Sequence, residues 1–169
     1  MDINKFDDFI RLINESYNSP VEINWVSNTN VELDGEFYIN DTKYLIECGE
    51  WDNNIWSYKF YRIEGDEKII DLVNDSKNKM SVLSTIRDGM RYLIESKEPS
   101  ALIINVMDGY RGRDNLWRRF SKEISEKYNF SYKNTDIMGT SNFFLYKDIN
   151  FEDVQKSFNR MLRVFQNGN

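Results

Sequence analysis

The stretch from 80 to 130, MSVLSTIRDGMRYLIESKEPSALIINVMDGYRGRDNLWRRFSKEISEKYNF, constrains the fold more than any other part of the chain. Val82, Leu83, Ile86, Met90, Leu93 and Ile94 recur at the spacing of one helix face, so the sequence predicts an amphipathic helix over 81–97. Pro99 ends it, because proline lacks the amide that would continue the ladder. Residues 101–106 (ALIINV) form a nearly unbroken apolar run, the composition of a strand covered on both faces. A polar loop over 108–113 then leads to a second helix over 114–127, with Leu116, Phe120, Ile124 and Tyr128 four apart. An interior strand between two one-faced helices requires a sheet whose faces are both packed.

The rest of the chain supplies that sheet. Phe6, Phe9, Ile10, Ile13 and Tyr17 mark a helix over 4–17, ended by Ser19-Pro20. Val21, Ile23 and Trp25 alternate with polar residues as a short strand, and Val31, Leu33, Phe37 and Ile39 continue the alternation, with Gly35 marking a bulge or break. Asn40-Asp41 predicts a tight hairpin into a strand over 43–48. Residues 51–54 (WDNN) form the next turn, 55–63 the next strand, and Glu64-Gly65-Asp66 turns the chain into a strand over 68–73. Later, 130–132 and 142–147 read as strands separated by a loop over 134–141. Asn150, followed by Glu152 and Asp153, starts a closing helix with Val154, Phe158, Met161, Leu162 and Phe165 on its apolar face. The whole is one α+β domain over 1–169: a mixed, mostly antiparallel sheet flanked by helices, with helices at both ends and no repeat or linker.

Composition enters where it excludes chemistry. The chain has no histidine, which removes His-based triads, general bases and metal sites, and its one cysteine, Cys48, allows neither an internal disulfide nor a Cys-rich zinc site. Cys48 lies in an apolar strand and reads as a small buried hydrophobe. No apolar run approaches the ~20 residues that span a bilayer, and the acidic start MDINKFDDFI lacks the order of a signal peptide. A soluble, cytoplasmic protein is expected. The net charge of −6 disfavours general nucleic-acid binding. It also makes the aromatics Trp51, Trp56, Tyr58 and Tyr61 core or interface residues rather than base-stacking platforms.

The charge is unevenly spread. Arg111, Arg113, Arg118, Arg119 and Lys122 gather around the second helix. The loop Asp108-Gly109-Tyr110-Arg111-Gly112-Arg113 follows the buried strand, where open α/β sheets often bind ligands. It reads either as a turn closed by an Arg113–Asp108 pair or as an anion site with the following helix N-terminus. Arg111, Arg113, Trp117 and Arg118 are the candidate contact surface. No catalytic, cofactor-binding or metal-binding set is complete.

The element order, a helix, a meander, a helix, a buried strand, a second helix and two strands, resembles that of the GNAT (N-acetyltransferase) superfamily, most clearly over 31–147. The resemblance implies a loop before the central helix whose glycines let backbone amides hold the acetyl-CoA pyrophosphate. The matching stretch, Asn74 through Ser81, has no glycine; Asp75 opposes an anion there, and Lys77 and Lys79 favour it. Gly89 lies too deep in the helix to serve. The family often places an Asn near the start of the later helix and a Tyr within it as an acid. Here Asn115 precedes Leu116-Trp117, leaving Tyr110 and Tyr128 as alternative acids and Glu47 and Glu50 as candidate bases. Ser84-Thr85-Ile86 with Arg113-x-x-Leu116-Trp117-x-Arg119, over 80–132, is similar to small GNAT-like proteins encoded by bacteriophages. With this resemblance, the missing glycine loop, the missing histidine, Trp117 where the family has a tyrosine and the many aromatics point to a phage accessory or virion protein on a degenerate GNAT-like fold. It would act without catalysis and without cofactor, by binding a protein partner in the host cytoplasm or within a virion. Two alternatives stay open: an acetyl-CoA-dependent N-acetyltransferase, and an acidic inhibitor of a host nucleic-acid-binding protein.

Overall fold

The computed structural model describes residues 20–69, 76–107, 111–137 and 140–167. The helix expected at 4–17 and most of the strand expected at 68–73 lie outside them. The eight strands are β1 (Asn24–Asn28), β2 (Glu32–Ile39), β3 (Thr42–Asp52), β4 (Ile55–Glu64), β5 (Glu67–Ile69), β6 (Ala101–Met107), β7 (Ser131–Ile137) and β8 (Thr140–Tyr146). The helices are α1 (Ser76–Lys97), α2 (Arg111–Tyr128) and α3 (Phe151–Asn167). One sheet has the order β1-β2-β3-β4-β6-β8-β7, and β5 pairs with β4 off that path. Every pairing is antiparallel except that of β4 with β6. The fold is therefore α+β with a mostly antiparallel sheet, and 101–106 is an interior strand between β4 and β8.

The hairpins follow their turn residues. Asn40 and Asp41 both take positive φ, as do Asn53 and Asn54, the backbone that two-residue turns require and Asn and Asp tolerate. Gly65 does the same between β4 and β5. Gly35 carries no bulge of its own. The irregularity lies across from it, between Trp25 and Ser27 in β1. A Cβ at 35 would stand 2.6 Å from Ile23 Cγ2 and 2.8 Å from the Trp25 ring, so Gly35 gives those side chains their space.

Strand alternation sorts the core into two layers. Leu33, Phe37, Tyr44, Ile46, Cys48, Trp56, Tyr58, Leu102 and Ile104 meet α1 and α2 on one face. Ile55, Ala101, Ile103 and Phe144 meet Val154 and Phe158 of α3 on the other. Trp56 and Tyr58 are thus core residues. α1 approaches the sheet closely at Gly89, where a Cβ would be 2.7 Å from Ile46 Cδ1. There the buried Tyr58 hydroxyl donates to the Ile86 carbonyl at 2.6 Å.

Helix ends obey capping chemistry. The Asp153 amide donates to Asn150 Oδ1 at 2.9 Å, and the Asn150 side-chain amide donates back to the Asp153 carboxylate at 2.6 Å. Asn129, with φ 57°, ends α2 while the Phe130 amide reaches the Ser125 carbonyl at 3.0 Å. Two expectations are corrected. α2 begins at Arg111 rather than 114, so 111–113 is helix and not loop. Residues 134–137 and 140–141 are strand rather than loop: β7 runs to Ile137 and β8 starts at Thr140, and polar Ser141 and Asn142 are buried between neighbouring strands.

Candidate functional site

Ligands in open α/β sheets collect where parallel strands end. Here that point is the carboxyl end of the β4/β6 pair. Their pairing runs from Ile55↔Ala101 to Tyr58↔Ile104 and stops, although β4 continues to Glu64 and β6 to Met107. From Asn105 onward β6 pairs only with β8. Arg62 pairs with Tyr44 of β3 on one side and with Ile69 of β5 on the other. The edge of β4 facing the crevice is therefore hydrogen-bonded to β5 from Arg62 to Glu64. The chain's own strand takes backbone groups that a ligand would otherwise meet.

α1 rises beside this crevice. Residues 76–80, part of the stretch matched to the phosphate loop, are already helical, and the first turn holds no acidic residue. Asn78 is tied to the β2–β3 turn, accepting from the Asn40 side-chain amide at 2.8 Å. Nearby, the Tyr44 hydroxyl and Arg62 Nε are buried without a hydrogen-bond partner among the described residues. Burial pushes the Tyr44 phenol up, and the Arg62 charge partly opposes this. The Arg62 guanidinium also pairs with Glu64 at 2.7 Å.

The candidate contact surface divides. Trp117 is only 3% exposed. Its ring lies 5.6 Å from Phe60 and 5.8 Å from Phe120, so it supplies core rather than contact area. The physical reason is spacing: Trp117, Phe120 and Ile124 at i, i+3 and i+7 form the buried stripe of α2. Arg118 is exposed. Arg111 and Arg113 fall in the first turn of α2. Asp108 and Tyr110, proposed for the turn pair and the acid, lie outside the described residues.

The other candidate groups have structural partners. Glu47 pairs with Lys68 on the sheet face not covered by α1 and α2. Glu50 accepts the Asn54 amide at 2.8 Å and closes the β3–β4 turn. The Tyr128 hydroxyl donates to Glu95 and accepts from Arg91 Nε at 3.4 Å, at the opposite end of α2 from Arg111. Burial, then the Glu95 contact, raises its pKa. Cys48 is buried, and burial pushes its thiol well above the ordinary range.

Two further sites escaped the sequence. Asp34 of β2 is raised to about 6, first by burial, then by a hydrogen bond and like charge from Glu32, with Glu47 adding repulsion and the Cys48 amide opposing. The second is a groove of about 650 Å³ between α3 and the β3–β4 hairpin. Ile55 and Ile149 line it beneath Lys156, Arg160 and Arg163. Their spacing of four and three along α3 was the available signal.

Among the described residues no group of three or more Cys, Asp and Glu is placed to hold a metal, and no helix is long and apolar enough to cross a membrane. No family model, curated protein or solved structure matches this chain.

Proposed function

We propose that this chain is a non-catalytic, protein-binding accessory or virion protein of a bacteriophage, built on a degenerate GNAT-like fold. The element order supports the fold assignment: a meander, a helix, an interior strand parallel to its neighbour, a second helix and a closing hairpin. The resemblance of 80–132 to small phage-encoded proteins supports the source. The observation that carries the non-catalytic reading is β5. It takes the β4 edge from Arg62 to Glu64, at the outer end of the crevice where a substrate or acyl carrier would make backbone contacts. The absent glycines and the helical start of α1 support the same reading.

One observation favours the acetyltransferase instead: the Tyr44 hydroxyl of β3 and Arg62 Nε of β4, paired across the strands and without a hydrogen-bond partner among the described residues, are donors suited to an anion. A thermal melt with acetyl-CoA separates the two. The protein-binding reading expects an unchanged midpoint, because a ligand stabilises only a fold that binds it. A saturable rise that Arg62→Gln abolishes would restore the enzyme.

A further inference from the structure

The groove beside α3 is built differently from the rest of this acidic protein. Its walls are α3 and the β3–β4 hairpin, and its apolar lining comes from Ile55 at the start of β4 and Ile149 just before α3. The Asp52 carboxylate of β3 is fixed at the rim. Arg160 pairs with it, and the Ser157 hydroxyl donates to it at 3.3 Å. That rim pair stands between the groove and a second depression of about 450 Å³, lined by Trp51, Met161 and Val164. Val164 is 71% exposed, the most exposed of the large apolar side chains at described positions. The Trp51 ring is held in place, its indole N–H donating to Ser57 Oγ at 2.9 Å.

The charge of the groove has the opposite sign to that of the chain. Lys156, Arg160 and Arg163 face two carboxylates, Asp52 and Asp153, in a protein of net charge −6. Arg160 is engaged by Asp52, and Lys156 lies 3.4 Å from Asp153. Arg163 forms no ion pair among the described residues and is exposed. Two adjacent depressions, one floored by Ile55 and Ile149 and the other lined by Trp51, Met161 and Val164, with three cations against two carboxylates at the rim, match a peptide that has apolar anchors and acidic flanks. The two aspartates in the wall repel any anion, so the evenly charged backbone of a nucleic acid meets them, whereas a peptide can space its carboxylates to reach Arg163 and Lys156 alone.

We infer that the groove between α3 and the β3–β4 hairpin is a docking site for an acidic segment of a partner protein carrying apolar anchors. The inference rests on the protein-binding reading and names its partner chemistry. An anchor enters between Ile55 and Ile149, a second covers Val164 and Met161, and the flanking carboxylates meet Arg163 and Lys156.

The test is fluorescence anisotropy on the full chain with a labelled peptide of alternating acidic residues and Leu or Phe. Controls are its Lys-for-acid counterpart, an acidic Gly/Ser peptide and a labelled oligothymidylate. The acidic apolar peptide should bind saturably and the controls should not. Lys156→Glu with Arg163→Glu should weaken it roughly tenfold, the effect of losing two rim charge pairs. Val164→Asp, an exposed position that leaves the Asp52–Arg160 pair intact, should weaken it as well. Circular dichroism melts check that the variants fold. Equal binding of all peptides, no binding of the acidic apolar one, or binding indifferent to both variants overturns the inference. Oligothymidylate binding lost in the charge variant overturns it in favour of nucleic acid. An acetyl-CoA titration runs in parallel. Acetyl-CoA binding that survives the charge variant defeats the protein-binding reading separately, whereas peptide failure without acetyl-CoA binding defeats only the groove.

Discussion

Gly89→Ala sets helix propensity against packing, and the structure decides between them. Gly89 lies inside α1, where alanine is favoured by about 1 kcal/mol on propensity alone. The new Cβ would stand 2.7 Å from Ile46 Cδ1, 3.0 Å from the Tyr58 hydroxyl and 3.2 Å from Ile23 Cδ1. Ile46 and Tyr58 are both buried, so neither has open space to move into. Overpacking of this kind costs about 1–3 kcal/mol, and displacing the Tyr58–Ile86 hydrogen bond adds about 1 kcal/mol. Set against the propensity gain, a net loss of about 1–3 kcal/mol is expected, a fall of roughly 2–4 °C in Tm for each kcal/mol at this chain length. Urea unfolding followed by tryptophan fluorescence should show a lower midpoint at unchanged slope. Ile46→Val removes the closest methyl, so Gly89→Ala should cost at least about 0.5 kcal/mol less in that background. A Gly89→Ala protein as stable as the parent would refute the close approach of α1 to β3 and β4.

Other perturbations probe separate parts of the fold. Phe120→Ala should cost about 3–5 kcal/mol and Ile86→Ala about 2–5 kcal/mol in denaturant melts, because both are buried in the helix-facing layer. Trp117→Ala should cost about 3–5 kcal/mol of stability, so a wild-type melt would return Trp117 to the surface. Asn150→Ala should cost about 1 kcal/mol by removing the cap of α3, read as a lower thermal midpoint. The folded protein holds Asp34 at about 6 against 3.8 ordinarily, so the fold binds its proton more tightly than the unfolded chain does. Its contribution is then most favourable below about pH 4 and is lost as pH rises through 6. Half-exposure and solvent screening leave on the order of 1 kcal/mol in play, so Asp34→Asn, which keeps the acceptor for Cys48, should stabilise at pH 8 and flatten the pH 4–7 slope.

Periodicity made most of the scaffold legible, because each buried face repeats at its own period. Val82 through Ile94 mark α1, the apolar run at 101 marks β6, and Asn40-Asp41 marks a turn whose positive φ these residues tolerate. The misreadings have physical causes too. Gly112 suggested a loop, yet the α2 helix runs through it. Both closing strands were legible at 130–132 and 142–147, but the polar composition of 134–141 hid the extension of β7 to Ile137 and the start of β8 at Thr140. Trp117 looked like surface because three arginines surround it in sequence, while its spacing to Phe120 and Ile124 placed it in the core. The α3 groove depends on a contact between Asp52 and Arg160, 108 residues apart, which no local pattern encodes. The burial of Asp34 likewise comes from cross-strand neighbours rather than from its own segment.

β5, rather than a ligand, holds the β4 edge from Arg62 to Glu64 at the outer end of the crevice. Amide chemical shifts of Arg62 through Ile69 and of the first turn of α1, followed by NMR during titration with acetyl-CoA, address it directly. These amides should stay unmoved up to about 100 μM ligand and remain protected from exchange, as paired strand amides are. Saturable shifts centred on Arg62, Ile69 and Ser76, with loss of protection in β5, would contradict it and make the crevice a cofactor site.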